Sequence, residues 1–152
     1  MMIRKFKKED AEVCSKLISE TVNIDQSLTE EAINHIKKET RPEALIKKMK
    51  RIDYFVCEED CQILGIGLLD SNEVKTMYVL SEFQNKGIGT KILKVIEKYA
   101  KSKNIKKLIL YPHPKAENFY LKNMFITIKN FKDGEMDVVY MEKSLKCNKM
   151  NF

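Results

Sequence analysis

The stretch Gln84-Asn85-Lys86-Gly87-Ile88-Gly89-Thr90 holds the residues best suited to chemistry. Gly87 and Gly89 come after an apolar run and a short polar loop, and they open a long amphipathic segment. Glycine leaves the backbone bare where a ligand must approach it. The first turn of a helix presents N–H groups with no internal partner, at the positive end of its dipole. Such a place binds phosphate. A second Gly-x-Gly, Gly65-Ile66-Gly67, lies inside a strand-like run and lacks that context. The P-loop pattern is absent, and a dinucleotide fingerprint would need Gly or Ala where Ile92 stands.

Other reactive side chains are scattered. The cysteines are Cys14, Cys57, Cys61 and Cys147, and the histidines are His35 and His113. Their spacing matches no zinc pattern, so no metal is expected. Four cysteines in a chain able to build its own core read as reduced thiols, which predicts a cytoplasmic protein. Cys57 and Cys61 flank Glu58-Glu59-Asp60, the tip of an expected hairpin.

The elements that must hold the glycine loop follow from periodicity. Met2, Ile3 and Phe6 suggest a first strand. Asp10 stands where it could cap a helix whose apolar positions are Val13, Cys14, Leu17, Ile18 and Val22. Ser27 and Glu30 have capping-box spacing before Ala32, Ile33 and Ile36. Pro42 suits a first helical position, so the helical region runs to about Arg51 with a break near Thr40.

Runs over 52–57, 62–69 and 74–80, joined by short polar turns, predict an antiparallel meander. A loop over 81–86 precedes a long helix with Ile88, Ile92, Leu93, Val95, Ile96, Tyr99 and Ala100 on its buried side. Leu108 to Tyr111 reads as a short, fully buried strand. A short helix over 116–122 follows. Two strands, 126–131 and 138–141, surround the Asp133-Gly134 turn. The order is β-α-α-β-β-β-α-β-α-β-β, a mixed sheet with helices on its faces.

Size and composition agree with one α/β domain. The chain has 152 residues, 43% hydrophobic and 33% charged, with three Pro and five Gly. This excludes collagen-like and disordered classes. No run of apolar residues is long enough to span a bilayer. The N-terminus has charges but no apolar stretch behind them, so it does not read as an export signal. The net charge of +6 raises nucleic acid as a partner, yet Lys outnumbers Arg among the 28 basic residues, with Arg only at 4, 41 and 51. Readers of bases and phosphates favour the forked Arg. A solvated Lys-rich surface with no nucleic-acid partner and no membrane partner is expected.

Together these residues resemble the GNAT superfamily of N-acetyltransferases. Tyr78-Val79, Ser81-Glu82-Phe83 and Gln84-Asn85-Lys86-Gly87-Ile88-Gly89 are similar to its strand–loop–helix element with a Q/R-x-x-G-x-G/A signature. Pro114 to Tyr120, with Lys122 and Phe125, looks like the later helix that carries a Phe-Tyr pair. The resemblance implies an acetyltransferase domain over 1–146 with a tail over 147–152. Its sheet would be mixed, mostly antiparallel, flanked by helices and splayed between strands 4 and 5.

The resemblance further implies acetyl-coenzyme A in the splay as co-substrate, with no metal. The pantetheine arm would pair with the backbone of Met77, Tyr78 and Val79. The diphosphate would rest on the amides of Gln84, Asn85, Lys86, Gly87, Ile88, Gly89 and Thr90, with the Lys86 and Lys91 side chains adding attraction. Asn118 and Tyr120 complete the cofactor set. An amine would attack the thioester directly. A lysine-like amine is only about 0.04% neutral at pH 7, a handicap of roughly 4.6 kcal/mol that a general base offsets in part. Glu73 stands 11 residues before Gln84, where the histone-modifying branch has its catalytic Glu. Asp70 and Glu82 are weaker choices.

By the same resemblance the N–H of Val79 would face the developing oxyanion, and Tyr120 would protonate the leaving thiolate. His113 stands where Asn is common in the family, and Asn123 is expected to supply a left-handed turn where Gly is usual. Acceptor choice would lie in 21–30 and 131–135. A homodimer stays open. A coenzyme-A-binding module without catalysis is the alternative reading, and a nucleic-acid binder a more distant one.

Overall fold

A computed structural model describes residues 1–145. The tail expected over 147–152, including Cys147, lies outside the described residues. Strand β1 (Met2–Lys5) leads through a 3-10 turn into helices α1 (Ala11–Asn23), α2 (Glu30–Glu39) and α3 (Pro42–Lys48). The meander is β2 (Asp53–Glu59), β3 (Gln62–Asp70) and β4 (Glu73–Val79). Helix α4 (Ile88–Ser102), β5 (Lys107–Leu110), α5 (Glu117–Lys122), β6 (Ile126–Asp133) and β7 (Met136–Ser144) follow. Two expected helices before the meander are three, because Pro42 starts a new helix right after Thr40 and Arg41.

The seven strands form one sheet in the order β1-β2-β3-β4-β5-β7-β6. All neighbours are antiparallel except β4 and β5. That parallel pair meets in register only at Glu73 and Ile109, with Ile109 N–H donating to the Asn72 carbonyl at 2.9 Å. Beyond Glu73 the two strands part, as the splay between strands 4 and 5 requires.

The sheet separates two cores. On one face Ile88, Ile92, Leu93, Ile96 and Ala100 of α4 pack with Leu64, Leu69, Leu108, Tyr120 and Phe125. On the other, Cys14, Leu17, Ile18 and Val22 of α1 pack with Leu45, Tyr54, Val56 and Ile66. Val13, expected on that stripe, is 52% exposed, one residue off the buried face. The strand-borne Gly65-Ile66-Gly67 has a packing role. A Cβ on Gly67 would come within 2.6 Å of the Ile92 Cγ2, so α4 lies on β3 at glycine distance.

Several local expectations are corrected. Thr29, not Ser27, caps α2, its Oγ1 accepting from Ala32 N–H at 3.1 Å, while Ser27 turns back to Asp25. Asp10 makes no side-chain cap to α1. Its carboxylate instead takes the Arg4 guanidinium in a fork at 2.8 and 2.9 Å, and Arg4 reaches Glu58 as well. The strand expected over 108–111 is not fully buried: Leu108 and Leu110 are, Ile109 is half-buried, and Tyr111, one residue past β5, is 49% exposed and leans on Tyr140. The left-handed residue after α5 is Met124 (φ +71), while Asn123 donates its side-chain amide to the Phe119 carbonyl. The strands around Gly134 (φ +63) extend further than expected, over 126–133 and 136–144.

Candidate active site

Residues of β4 alternate between the two faces. Met77 and Val79 join the α4 core, and Tyr78 joins the opposite one. Leu80 N–H donates to the Leu64 carbonyl on β3 at 3.0 Å. In an antiparallel ladder the main-chain groups alternate in direction. Met77 and Val79 therefore aim N–H and C=O away from β3, into the gap where β5 has parted. The Val79 carbonyl is taken by Gln84 Nε2 at 2.9 Å, which ties the loop to the strand.

The loop then turns sharply. Asn85 (φ +60) and Gly87 (φ +83) both take the left-handed conformation, and Gly87 begins α4. Lys91 N–H is the first to find an α4 partner, the Gly87 carbonyl at 3.1 Å. The amides of Ile88, Gly89 and Thr90 precede it and are the orphan donors of the first turn. A Cβ on Gly87 would meet nothing within 4 Å, so that corner is open.

These pieces enclose a cavity of about 520 Å3. Met77 and Val79 form one wall, Gln84, Asn85, Gly87, Ile88, Gly89 and Thr90 another, and Phe83, Ala116, Phe119 and Tyr120 the third. Nine of the residues expected from sequence for catalysis or cofactor binding meet here. Tyr120 is 6% exposed, held edge-on between Phe119 and Phe125 at ring separations of 5.0 and 5.7 Å. Burial pushes its hydroxyl up to about 12, so the phenol stays protonated at neutral pH and can donate.

Other expected residues stand elsewhere. The Tyr78 side chain lies on the far face of β4. Lys86 is exposed, its Nζ 5.4 Å from the Phe83 ring centroid. Asn118 is exposed and does not line the cavity. Glu73 opens β4 outside the cavity, with its carboxylate 2.6 Å from Lys75 Nζ. Asp70 faces Arg51 at 3.7 Å, and Glu82 is exposed. His113 is exposed and accepts from Lys115 N–H through Nδ1. Phe83, Ala116 and Phe119 are site residues that sequence reasoning missed. The adjacency of Phe119 to Tyr120 and of Phe83 to Gln84 was the available signal.

An unpaired strand edge beside a ring of free amides suits a long ligand that is amide-like at one end and carries a diphosphate at the other. The sequence supplies the deciding observation: residues 24–145 match the acetyltransferase (GNAT) domain model. The chain belongs to the GNAT acetyltransferase family. Solved members share its fold. A GCN5-related N-acetyltransferase from Rhodopseudomonas palustris superposes with a TM-score of 0.82 at 17% identity, covering 95% of each chain. The PaiA N-acetyltransferase from Thermoplasma acidophilum, solved with coenzyme A, gives 0.80 at 26% identity, covering 94% of this chain and 98% of its own. An N-acetyltransferase from Staphylococcus aureus Mu50 gives 0.73 at 21% identity, covering 95% and 98%. No curated protein sequence matches the chain.

Among the described residues no group of three or more His, Cys, Asp or Glu could hold a metal ion. Cys14 and Cys57 are buried free thiols and Cys61 an exposed one. No described helix is long and apolar enough to cross a membrane.

Proposed function

We propose that the protein is an acetyl-coenzyme-A-dependent N-acetyltransferase whose acceptor is a primary amine that attacks the thioester directly. The observation that carries this reading is the continuity of the β4 edge with the α4 first turn along one cavity. The backbone of Met77 and Val79 would pair with the pantetheine amides as an added strand does. The amides of the 84–90 loop would hold the diphosphate, where the bare Gly87 leaves room. Lys86 adds positive charge beside Phe83, whereas Lys91, expected to do the same, turns its Nζ to Met1 Sδ at 3.5 Å and does not line the cavity. Hydrogen bonds to a charged group contribute about 1.5–3 kcal/mol each, so three at the upper end supply the roughly 8 kcal/mol of micromolar binding.

The chain's own groups then divide the chemistry. Val79 N–H faces the gap and donates to the oxygen on which charge develops. Tyr120, protonated and buried, gives its proton to the departing thiolate. Glu73 lies across the strand from the cofactor cavity and acts as base, directly or through water, on an amine arriving from that side. Its pair with Lys75 must open for it to do so.

The reading is tested by following free thiol released from acetyl-coenzyme A over a panel of amines. Amine-dependent release is expected. Coenzyme binding with no turnover on any amine would leave a binding module instead.

A further inference from the structure

A second cavity, of about 390 Å3, lies on the other face of β4, beneath α2 and α3. A bulge creates it. Gly67 pairs with Met77 and Leu69 with Val74, so β4 sets two residues, Lys75 and Thr76, against the single Leu68. Lys75, Thr76 and Tyr78 all line this cavity, while Met77 lines the first. Neighbouring Cα atoms are about 3.8 Å apart. The two cavities are thus back to back across one strand, and β4's edge beyond Glu73 is open between them.

The cavity is built for a small polar molecule with an aliphatic span. Tyr54, Leu68, Tyr78 and Ile36 give it an apolar lining. Its charged walls carry one cation in excess: Lys48, Arg51 and Lys75 against Glu39 and Asp70, with His35 at the side. Glu73 compensates Lys75 from outside the wall. Lys48 is closed tightly on Glu39, at 2.6 Å from its carboxylate and 2.9 Å from its carbonyl. Arg51 differs. It touches Asp70 through one nitrogen at 3.7 Å and its side chain is 69% exposed, so the guanidinium fork keeps donors for a second carboxylate. Counted with Glu73 the charges balance in three pairs, so a polycation would find no free carboxylate. Helix α2 roofs the cavity without burying any residue fully, so it can lift at little cost.

Resting on the acetyltransferase reading, we propose that this cavity binds the acceptor, and that the acceptor is a small amine bearing a carboxylate held by Arg51. Its aliphatic span lies against Tyr54 and Tyr78, and its amine reaches the thioester around the open edge of β4 on the side of Glu73.

The test compares γ-aminobutyrate and ε-aminocaproate with alkylamines of equal length and with spermidine, at saturating acetyl-coenzyme A. The aminocarboxylates should exceed the alkylamines at least tenfold in kcat/KM. Arg51→Gln should erase that preference through KM. Ile36→Trp, which fills the cavity, should abolish use of every amine while calorimetric binding of coenzyme A persists. Equal or better turnover of alkylamines or spermidine overturns the proposal, as does an unchanged KM in Arg51→Gln. Those results leave the acetyltransferase reading standing. No turnover of any amine overturns both.

Discussion

The Cβ that Gly89 lacks would sit 3.1 Å from the Cζ of Phe119. The first turn of α4 and the aromatic wall of the cofactor cavity therefore touch at a point where no side chain fits. Gly89→Ala should push the ring into the cavity. The same change favours the helix, by up to about 1 kcal/mol. The two effects separate in measurement: coenzyme A should bind about tenfold more weakly by calorimetry, while the melting temperature holds or rises.

Tyr120→Phe keeps the ring between Phe119 and Phe125 and removes only the proton. We expect kcat to fall tenfold or more with coenzyme binding unchanged. Because the hydroxyl sits at about 12 rather than near 10, no alkaline loss of kcat from this group should appear below about pH 10. A raised value also links to stability. Its contribution is complete below about pH 10 and is lost as pH rises through about 12, and Tyr120→Phe should remove that alkaline slope.

The close approach of α4 to β3 makes Gly67→Ala an overpacking change, 2.6 Å from Ile92 Cγ2. A cost of about 2 kcal/mol is expected, lowering Tm by roughly 4–8 °C in a thermal melt. Activity per folded molecule should change far less than stability.

Much of this architecture was legible in the sequence. The meander, α4 and the Gly87–Gly89 loop follow from strict periodicity and from glycines whose positions only a helix start explains. What periodicity could not give is which way a short element turns. Val13 and Tyr111 belong to apolar runs yet face solvent, because their neighbours one step away complete the core. Asp10 is a chemically sound cap, but Arg4 is a stronger partner that only the β1 fold-back brings near. The Tyr78 side chain reads with its neighbours Met77 and Val79 as one motif, and pleating separates it from them. Likewise Lys75 and Thr76 turn to the same face only through a bulge whose register no local pattern reveals.

The Arg4–Asp10 pair ties β1 to the start of α1, with side chains 18% and 9% exposed. The hydrogen bonds from Arg4 hold the Asp10 carboxyl below its usual value. A lowered carboxyl stabilises the fold above about pH 4 and loses that contribution as pH falls through its folded value. Arg4→Met should cost about 2–3 kcal/mol at pH 7. Urea melts at pH 7 and pH 3 should differ less in this variant than in the parent.

The grip of main-chain amides on a diphosphate is tested most directly by calorimetry with coenzyme A and with pantetheine, which lacks the diphosphate together with the adenosine 3′-phosphate it carries. Coenzyme A should bind at micromolar concentration and pantetheine at least a hundredfold more weakly, about two charged hydrogen bonds' worth. Equal affinity for the two, or no heat with coenzyme A, would contradict the account.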